Sequence, residues 1–343
     1  MKRREFLKKF ALLGASGLML PATRLYGAVD GGYTGRLLIQ LQVSGGWDVS
    51  SYCDPKVNQP GERKITNWSE TADIQQAGNI PFASFANNNF FFEKYYRDML
   101  VINGVDMQTN SHDTGVLHNW SGRNSVGYPT LTAMHAAKNA PDQPLSYINF
   151  GGYAQSAGLI RYSRLDDINA LQQIIIPNGD GHTLRNAADL TRIRAAAQAR
   201  LERQLDNIYL TPRKSNNLAA YQQALSSRSA LSELPSYLPP QDDIIANQQV
   251  NSDTSSSLQR QIQMSIAAFN AGLASASDLF TNGYDTHSDH DALHEPLFTH
   301  LNESIDLLWK LAEDANIAER LTVIIGSDFS RTPHYNTGNG KDH

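Results

Sequence analysis

The sequence predicts an α/β protein whose functional side chains follow the ends of its strands. The apolar run 36–43 is followed by a Gly-Gly-Trp-Asp turn that ends at Asp48. The run 277–281 leads into a loop rich in aspartate and histidine, and the run 321–326 is followed by Ser-Asp at Asp328. Strands that end in polar loops and continue into helices are where α/β enzymes place their active sites.

Length and composition indicate a globular protein. The 343 residues suffice for one large α/β domain or two small ones, and 41% hydrophobic with 18% charged residues is a soluble balance. The net charge is −5, but residues 1–28 hold six basic residues and one acid, so the remainder carries −5 − 5 = −10. This acidic remainder argues against nucleic acid as the main partner.

The chain contains one cysteine, Cys53. A single cysteine excludes an intrachain disulfide and a thiolate metal cage. Any metal site must therefore be built from aspartate, glutamate and histidine.

Residues 1–28 resemble a twin-arginine (Tat) export signal. Arg3 and Arg4 precede Phe-Leu-Lys, and a mildly apolar run of about a dozen residues ends at Pro21. That run is too short and too rich in glycine to form a stable membrane span. We expect the Tat translocase to export the protein, with a mature periplasmic or secreted domain at 29–343; the alternative is a basic tail on a cytosolic protein.

Further apolar runs predict strands at 99–105, 145–150 and 173–176. Apolar residues spaced three and four apart predict amphipathic helices at 185–207 and 216–233, and two more before and after the loop at 283–290. We expect the region of about 185–255, which ends in a Pro- and Ser-rich loop, to be a helical cap inserted into the α/β domain.

Ser111 precedes a predicted helix and has two possible roles. It can cap the helix, or it can act as a nucleophile where the helix dipole and free N–H groups favour an anion. Ser111, His112 and Asp113 resemble a catalytic triad in their order. Consecutive side chains point in different directions, however, so these three cannot form a Ser–His–Asp relay.

The loop after the strand at 277–281 contains the best candidate ligand pair. If the loop is extended, Asp285 and His287 point to the same side. Asp48 could be a ligand or a turn residue.

The residues that follow this pair have simpler roles in the sequence. Ser288 and Asp291 fit a capping box at the start of the next helix. His290 and His294 share a helix face and could share a metal. We expect instead an exposed or packed pair.

Several motifs occur in an order that resembles a bacterial family of unknown function, the domain of unknown function 1501 proteins. They are Asp48 after the first strand, Ser111-His112, Tyr284 to Asp289, Ser327 to Pro333, and the Gly-x-Asp-His that ends at His343. The family looks like part of the alkaline phosphatase and sulfatase superfamily. The resemblance spans essentially the whole mature chain and implies a doubly wound, mostly parallel sheet with helices on both faces.

The resemblance also implies two divalent metals at the carboxyl edge of the sheet. Asp285, His287 and His343 would hold one metal, and Asp48 and Asp328 the other. Zinc suits imidazole and carboxylate ligands, with manganese or calcium as the alternatives. Two metals about 4 Å apart would stabilise the attacking and leaving oxygens of a small anionic ester.

The expected catalytic residues are Ser111 as the nucleophile, with His112 and Arg331. Three features depart from the pattern of the superfamily. Phe329 stands where alkaline phosphatases have a histidine after the aspartate, and the sulfatase motif Cys/Ser-x-Pro-x-Arg does not occur. The sequence also stops at His343, directly on a motif, from which we expect a C-terminally truncated chain.

The sequence therefore predicts a periplasmic metal-dependent hydrolase of phosphate or sulfate esters. The alternative is a non-catalytic exported binding or surface-assembly protein that keeps the fold with a degraded metal site. A secreted glycoprotein, suggested by acceptor tripeptides at Asn67, Asn119 and Asn302, is opposed by the twin arginines.

Overall fold

The computed structural model describes residues 32–67, 74–165, 187–206, 209–226, 231 and 234–343. The predicted export segment at 1–28 and the predicted strand at 173–176 lie outside the described residues.

A sheet of five parallel strands forms the centre of the described protein. Its strands are β1 (Leu37–Val43), β4 (Tyr147–Asn149), β5 (Ser163–Arg164), β8 (Ala276–Thr281) and β9 (Leu321–Ser327). Their order across the sheet is β5-β4-β8-β1-β9, and each neighbouring pair is parallel. Two antiparallel hairpins lie outside it, formed by β2 (Ile74–Ala77) with β3 (Ile80–Ala83) and by β6 (Gln248–Gln249) with β7 (Ser255–Ser256).

Seven α-helices occur among these residues. They are α1 (Asn88–Tyr95), α2 (His112–Ser121), α3 (Leu131–Asn139), α4 (Ala187–Leu205), α5 (Pro212–Ser226), α6 (Leu258–Asn270) and α7 (His290–Asp314). None of the helices in the described ranges is both long enough and apolar enough to cross a membrane.

The two faces of the sheet differ in polarity. One face contributes Leu37, Ile39, Leu41 and Val43 to the main hydrophobic core, which also takes the apolar stripes of α6 and α7. The opposite face packs against α2 and α3. Helices on both faces of a parallel sheet are compatible with a doubly wound α/β fold, so the predicted α/β class is confirmed.

The face toward α2 and α3 buries polar side chains. The strand register aligns Gln40, Asp278 and Asn149 in one row across three strands, and each is at most 2% exposed. Asp278 accepts hydrogen bonds from the Tyr147 hydroxyl and from Asn149 Nδ2 (3.2 Å). Burial raises the pKa of Asp278 from 3.8 to about 7, although these hydrogen bonds lower it in part.

The predicted strand at 99–105 is wrong. The segment has no strand pairing, and Leu100 and Ile102 are 82% and 70% exposed. Asn103 and Gly104 interrupt the apolar run with residues that are poor in strands, and local β-propensity does not supply a partner strand. The other predicted strands in the described ranges form, at 37–43, 147–149, 276–281 and 321–327.

The predicted helices also form, with shifted ends. Helix α4 matches the pattern at 185–207. Helix α5 begins at Pro212, four residues before the predicted start. Proline is favoured at the first position of a helix. The two helices pack against each other, and the loop after them contains the short β6–β7 hairpin. The boundaries of an inserted cap stay a prediction.

Candidate metal centre

Three neighbouring strands end at one edge of the sheet and bring their polar loops together. Val43 at the end of β1 pairs in register with Thr281 of β8 and Ser327 of β9. Asp48, Asp285 and Asp328 follow these strand ends. The sequence predicted this convergence, because the carboxyl ends of parallel strands meet at the same edge.

Asp328 is fully buried and holds the turn after β1. Its Oδ1 accepts hydrogen bonds from the Gly46 N–H (2.8 Å), the Gly45 N–H (3.1 Å) and Ser327 Oγ (2.8 Å). Gly45 and Gly46 have φ of +113° and +69°, a conformation that glycine adopts without strain. Asp328 Oδ2 is hydrogen-bonded to Nδ1 of His112. Asp328 therefore anchors both the turn and an imidazole.

His112 is the first residue of α2, and only one of its ring nitrogens is hydrogen-bonded. Nδ1 is hydrogen-bonded to Asp328. Nε2 is buried without a hydrogen-bond partner and lies 3.5 Å from Asp285 Oδ2. A carboxylate that binds one imidazole nitrogen orients the ring and leaves the other for a metal. The orphaned Nε2 is therefore a suitable ligand atom.

Asp285 is half exposed and receives three positively polarised groups. Its Oδ1 accepts a hydrogen bond from Arg331 Nη2 and lies 3.0 Å from His287 Nε2, and its Oδ2 lies 3.5 Å from His112 Nε2. Partial burial alone would raise the pKa of Asp285. The hydrogen bond and charge of Arg331, helped by the two histidines, outweigh burial, so this pKa lies below its usual value.

His343 completes a group of three possible ligands. One atom each from His112, Asp285 and His343 lies within 4.8 Å of the others. Partial burial, and then the nearby positive charge of Arg331, lower the pKa of His343. Deprotonated aspartate and neutral histidine are the forms that bind metals, and two imidazoles with one carboxylate suit zinc. The residues present therefore fit one divalent ion.

His287 lies beside this group but outside it. The sequence predicted His287 as a ligand that partners Asp285. In the structure its Nε2 lies 3.0 Å from Asp285 Oδ1, and its Nδ1 is hydrogen-bonded to Asp342 Oδ1 (3.1 Å). The His287 ring is half exposed and 5.3 Å from the His343 ring, centroid to centroid. This arrangement favours a role in orienting Asp285 or in moving a proton.

Asp48 is fully buried and has no free oxygen. Its Oδ2 accepts from Lys341 Nζ (2.7 Å) and His290 Nε2 (3.0 Å), and its Oδ1 accepts from the N–H (3.0 Å) and Oγ (2.6 Å) of Ser50. Burial alone would raise the pKa of Asp48, but Lys341 and His290 outweigh it and hold this pKa well below its usual value. Asp48 is thus paired with an ammonium group.

The pair predicted for a second metal does not fit an ion. Both oxygens of Asp48 and both oxygens of Asp328 already accept hydrogen bonds from protein groups. Phe329 packs against the rings of both His112 and His343, with centroid distances of 4.5 and 4.8 Å. Phe329 therefore places an apolar ring where the resemblance to alkaline phosphatases implied a histidine ligand.

Lys341 is a buried residue at this edge of the sheet that the sequence analysis missed. It is 1% exposed, its Nζ donates to Ser50 Oγ (3.0 Å), and it lies 4.7 Å from the centre of the Tyr335 ring. A lysine between Gly340 and Asp342 in a polar segment looks like a surface residue. Its partner Asp48 is 293 positions away, so no local signal marks it.

His290 and His294 form a buried stacked pair. Their ring centroids are 4.1 Å apart, both residues are fully buried, and both Nδ1 atoms contact Thr286 Oγ1, at 2.6 and 3.1 Å. Burial, and then the proximity of His290, hold the pKa of His294 well below its usual value. The sequence predicted an exposed or packed pair, and the pair is packed. His290 also connects α7 to Asp48.

The predicted capping box at the start of α7 is wrong. Asp289, not Ser288, occupies the N-cap position, with φ of +46° and no side-chain cap. The N–H groups of Asp289 and His290 bind instead to the carbonyls of Gly338 (3.1 Å) and Asn339 (2.9 Å). Tertiary backbone contacts thus replace the side-chain cap, and Asp291 accepts from the Tyr335 hydroxyl.

Ser111 occupies the N-cap position of α2 but forms no side-chain cap. Its side chain is exposed and directly precedes His112. Arg331, by contrast, is 4% exposed and donates to the carbonyls of Gly46 (2.9 Å) and Lys341 (3.0 Å), and to Asp285. The geometry therefore suits Arg331 for positioning Asp285, and it leaves the Ser111 side chain exposed at the start of α2.

The C-terminal segment approaches the ligand loop closely. A Cβ on Gly340 would lie 1.9 Å from the carbonyl carbon of His287, so only glycine fits there. The N–H of Lys341 also donates to the Thr286 carbonyl (3.0 Å). These two contacts place the segment that contains Lys341 and His343 beside the ligand loop.

Comparison with protein families gives one result for this chain. Residues 36–343 match the family described as "Protein of unknown function (DUF1501)". No curated protein and no solved structure matches the chain. The match covers all three strand ends of the candidate centre and its terminal histidine. The chain therefore belongs to the DUF1501 family.

Proposed function

We propose that this chain is an exported metal-dependent hydrolase of phosphate or sulfate esters, with an alkaline-phosphatase-like fold. One observation carries the proposal. His112, Asp285 and His343 come from three distant segments, and each brings a ligand atom to one point at the carboxyl edge of the sheet. Export through the Tat translocase, carried by residues 1–28, belongs to the same proposal.

The three residues would hold a single zinc ion, with manganese or calcium as alternatives. When bound, such an ion acts as a Lewis acid toward an anionic ester and lowers the pKa of a neighbouring hydroxyl group. Asp328 orients His112, and Arg331 with His287 orients Asp285. Supporting contacts of this kind fix ligands in a productive geometry.

Ser111 is the proposed nucleophile. Its exposed hydroxyl stands at the N-terminus of α2, where free N–H groups favour a bound anion. Ser111 Oγ would lose its proton to solvent water and form the new bond to phosphorus or sulfur while the bond to the ester oxygen breaks. His287, at the exposed rim, would give the leaving oxygen its proton, and water would then release Ser111.

Hydrolysis of para-nitrophenyl phosphate and para-nitrophenyl sulfate by the zinc-loaded protein tests this proposal. We expect turnover of at least one ester, and we expect Ser111→Ala to lower kcat/KM by at least about 100-fold. Ser125→Ala, an exposed serine after the same helix, is the matched control and should change nothing. Turnover that Ser111→Ala leaves intact would refute the assignment of the nucleophile.

The second candidate is a non-catalytic exported binding or surface-assembly protein. The saturated carboxylates of Asp48 and Asp328, together with the packed ring of Phe329, favour it, because they remove the second ion of the superfamily's site. Zinc binding without turnover of either ester would support this candidate over the hydrolase.

A further inference from the structure

A groove distinct from the metal centre lies between the β6–β7 hairpin and the middle of α7. It is open to solvent and has a volume of about 510 Å³. Its polar lining consists of Gln248, Gln249, Glu295, Thr299, His300 and Glu303. Glu295, Thr299 and Glu303 are four residues apart, so they share one face of the helix.

The polar lining is rich in hydrogen-bond acceptors. Glu295 and Glu303 are exposed carboxylates. Gln248 Nε2 donates to Gln259 Oε1 (2.7 Å), and Gln249 Nε2 donates to the Thr254 carbonyl (3.3 Å). Each glutamine therefore donates a side-chain N–H to a protein oxygen, and its amide oxygen can accept a hydrogen bond. No lysine or arginine occurs among the described residues that line the groove.

His300 provides an independent sign that a ligand completes the groove. It is 7% exposed, and its Nε2 is buried without a hydrogen-bond partner. Burial lowers the pKa of His300, which keeps the ring neutral near pH 7. With its proton on Nδ1, a neutral imidazole presents Nε2 as an acceptor. A buried acceptor without a partner is unfavourable, and a donor on a ligand would relieve this.

We propose that this groove binds a linear polyamine. Its acceptor-rich, doubly negative lining matches a ligand that carries only donors and positive charge. Glu295 and Glu303 are eight residues apart, which is about 12 Å along the helix axis. An extended chain with an ammonium group at each end can reach both carboxylates and place an inner nitrogen near His300. Among the described residues, the one group with metal-ligand geometry contains none of these side chains.

Calorimetric titration of the full chain with spermidine tests this proposal. We expect one site, and an affinity that falls as salt screens the carboxylates. Glu295→Gln and Glu303→Gln should each weaken binding at least about tenfold. Glu313→Gln, an exposed glutamate near the end of the same helix, is the matched control and should bind as the wild type does. The ring signals of His300, assigned by their loss in His300→Gln, should shift on binding.

Three results would overturn the proposal. The first is no heat of binding up to millimolar spermidine. The second is an equal loss of affinity in Glu313→Gln, which would indicate general attraction to an acidic chain. The third is a His300 ring signal that saturating spermidine leaves unmoved.

Discussion

Replacing Lys341 by methionine is expected to lower the free energy of unfolding by about 3–5 kcal/mol. The substitution would leave Asp48 buried with a negative charge and without its ammonium partner, because both groups are at most 1% exposed. Urea denaturation measures the change. Lys310→Met, on the exposed side of α7, is the matched control and should lower stability by less than about 1 kcal/mol.

The double variant Asp48→Asn/Lys341→Met separates the pair from the packing around it. Removing both charges should recover much of the lost stability, since the cost lies in the uncompensated charge and not in the missing contact. A double variant as unstable as Lys341→Met alone would contradict an ammonium–carboxylate pair at this position.

Replacing Asp278 by asparagine is expected to change how stability depends on pH. The pKa of Asp278 in the folded protein is about 7, above its ordinary value of 3.8, because the carboxyl group is buried in the sheet. Between these values the folded state holds the proton and the unfolded state releases it. The contribution of Asp278 to stability is therefore full below about pH 4 and declines as pH rises through about 7.

The difference of about three pKa units corresponds to about 4 kcal/mol. Unfolding free energies of the wild type and Asp278→Asn, measured from about pH 4 to about pH 8, should diverge by this order, with the variant gaining relative to the wild type as pH rises. Asp314→Asn, at the exposed end of α7, controls for a general charge effect. Parallel pH profiles for the wild type and Asp278→Asn would contradict the assignment.

The strand ends of the candidate site could be predicted because their signals are local. An apolar run followed by glycines and an aspartate predicted β1 with Asp48, and similar runs predicted β8 and β9. The run at 99–105 gave the same local signal and failed, since strand formation also needs a partner that the run itself does not specify.

The ligand group could not be predicted in full, because it depends on local turns and on distant contacts. The prediction for Asp285 and His287 assumed an extended loop. The Thr286 N–H instead binds the Tyr284 carbonyl (3.1 Å), which forms a tight turn and buries Thr286 against His290 and His294. His112 takes a place at the site because Asp328, 216 positions away, holds its ring.

The number of zinc ions that the protein binds, measured by titration and metal analysis of the folded chain, tests the one-ion centre most directly. We predict one equivalent, with affinity reduced at least about 100-fold in His112→Ala and in Asp285→Asn. His118→Ala, also on α2, is the matched control and should bind like the wild type. Two equivalents per chain, no bound zinc, or an affinity that His112→Ala leaves unchanged would contradict the account.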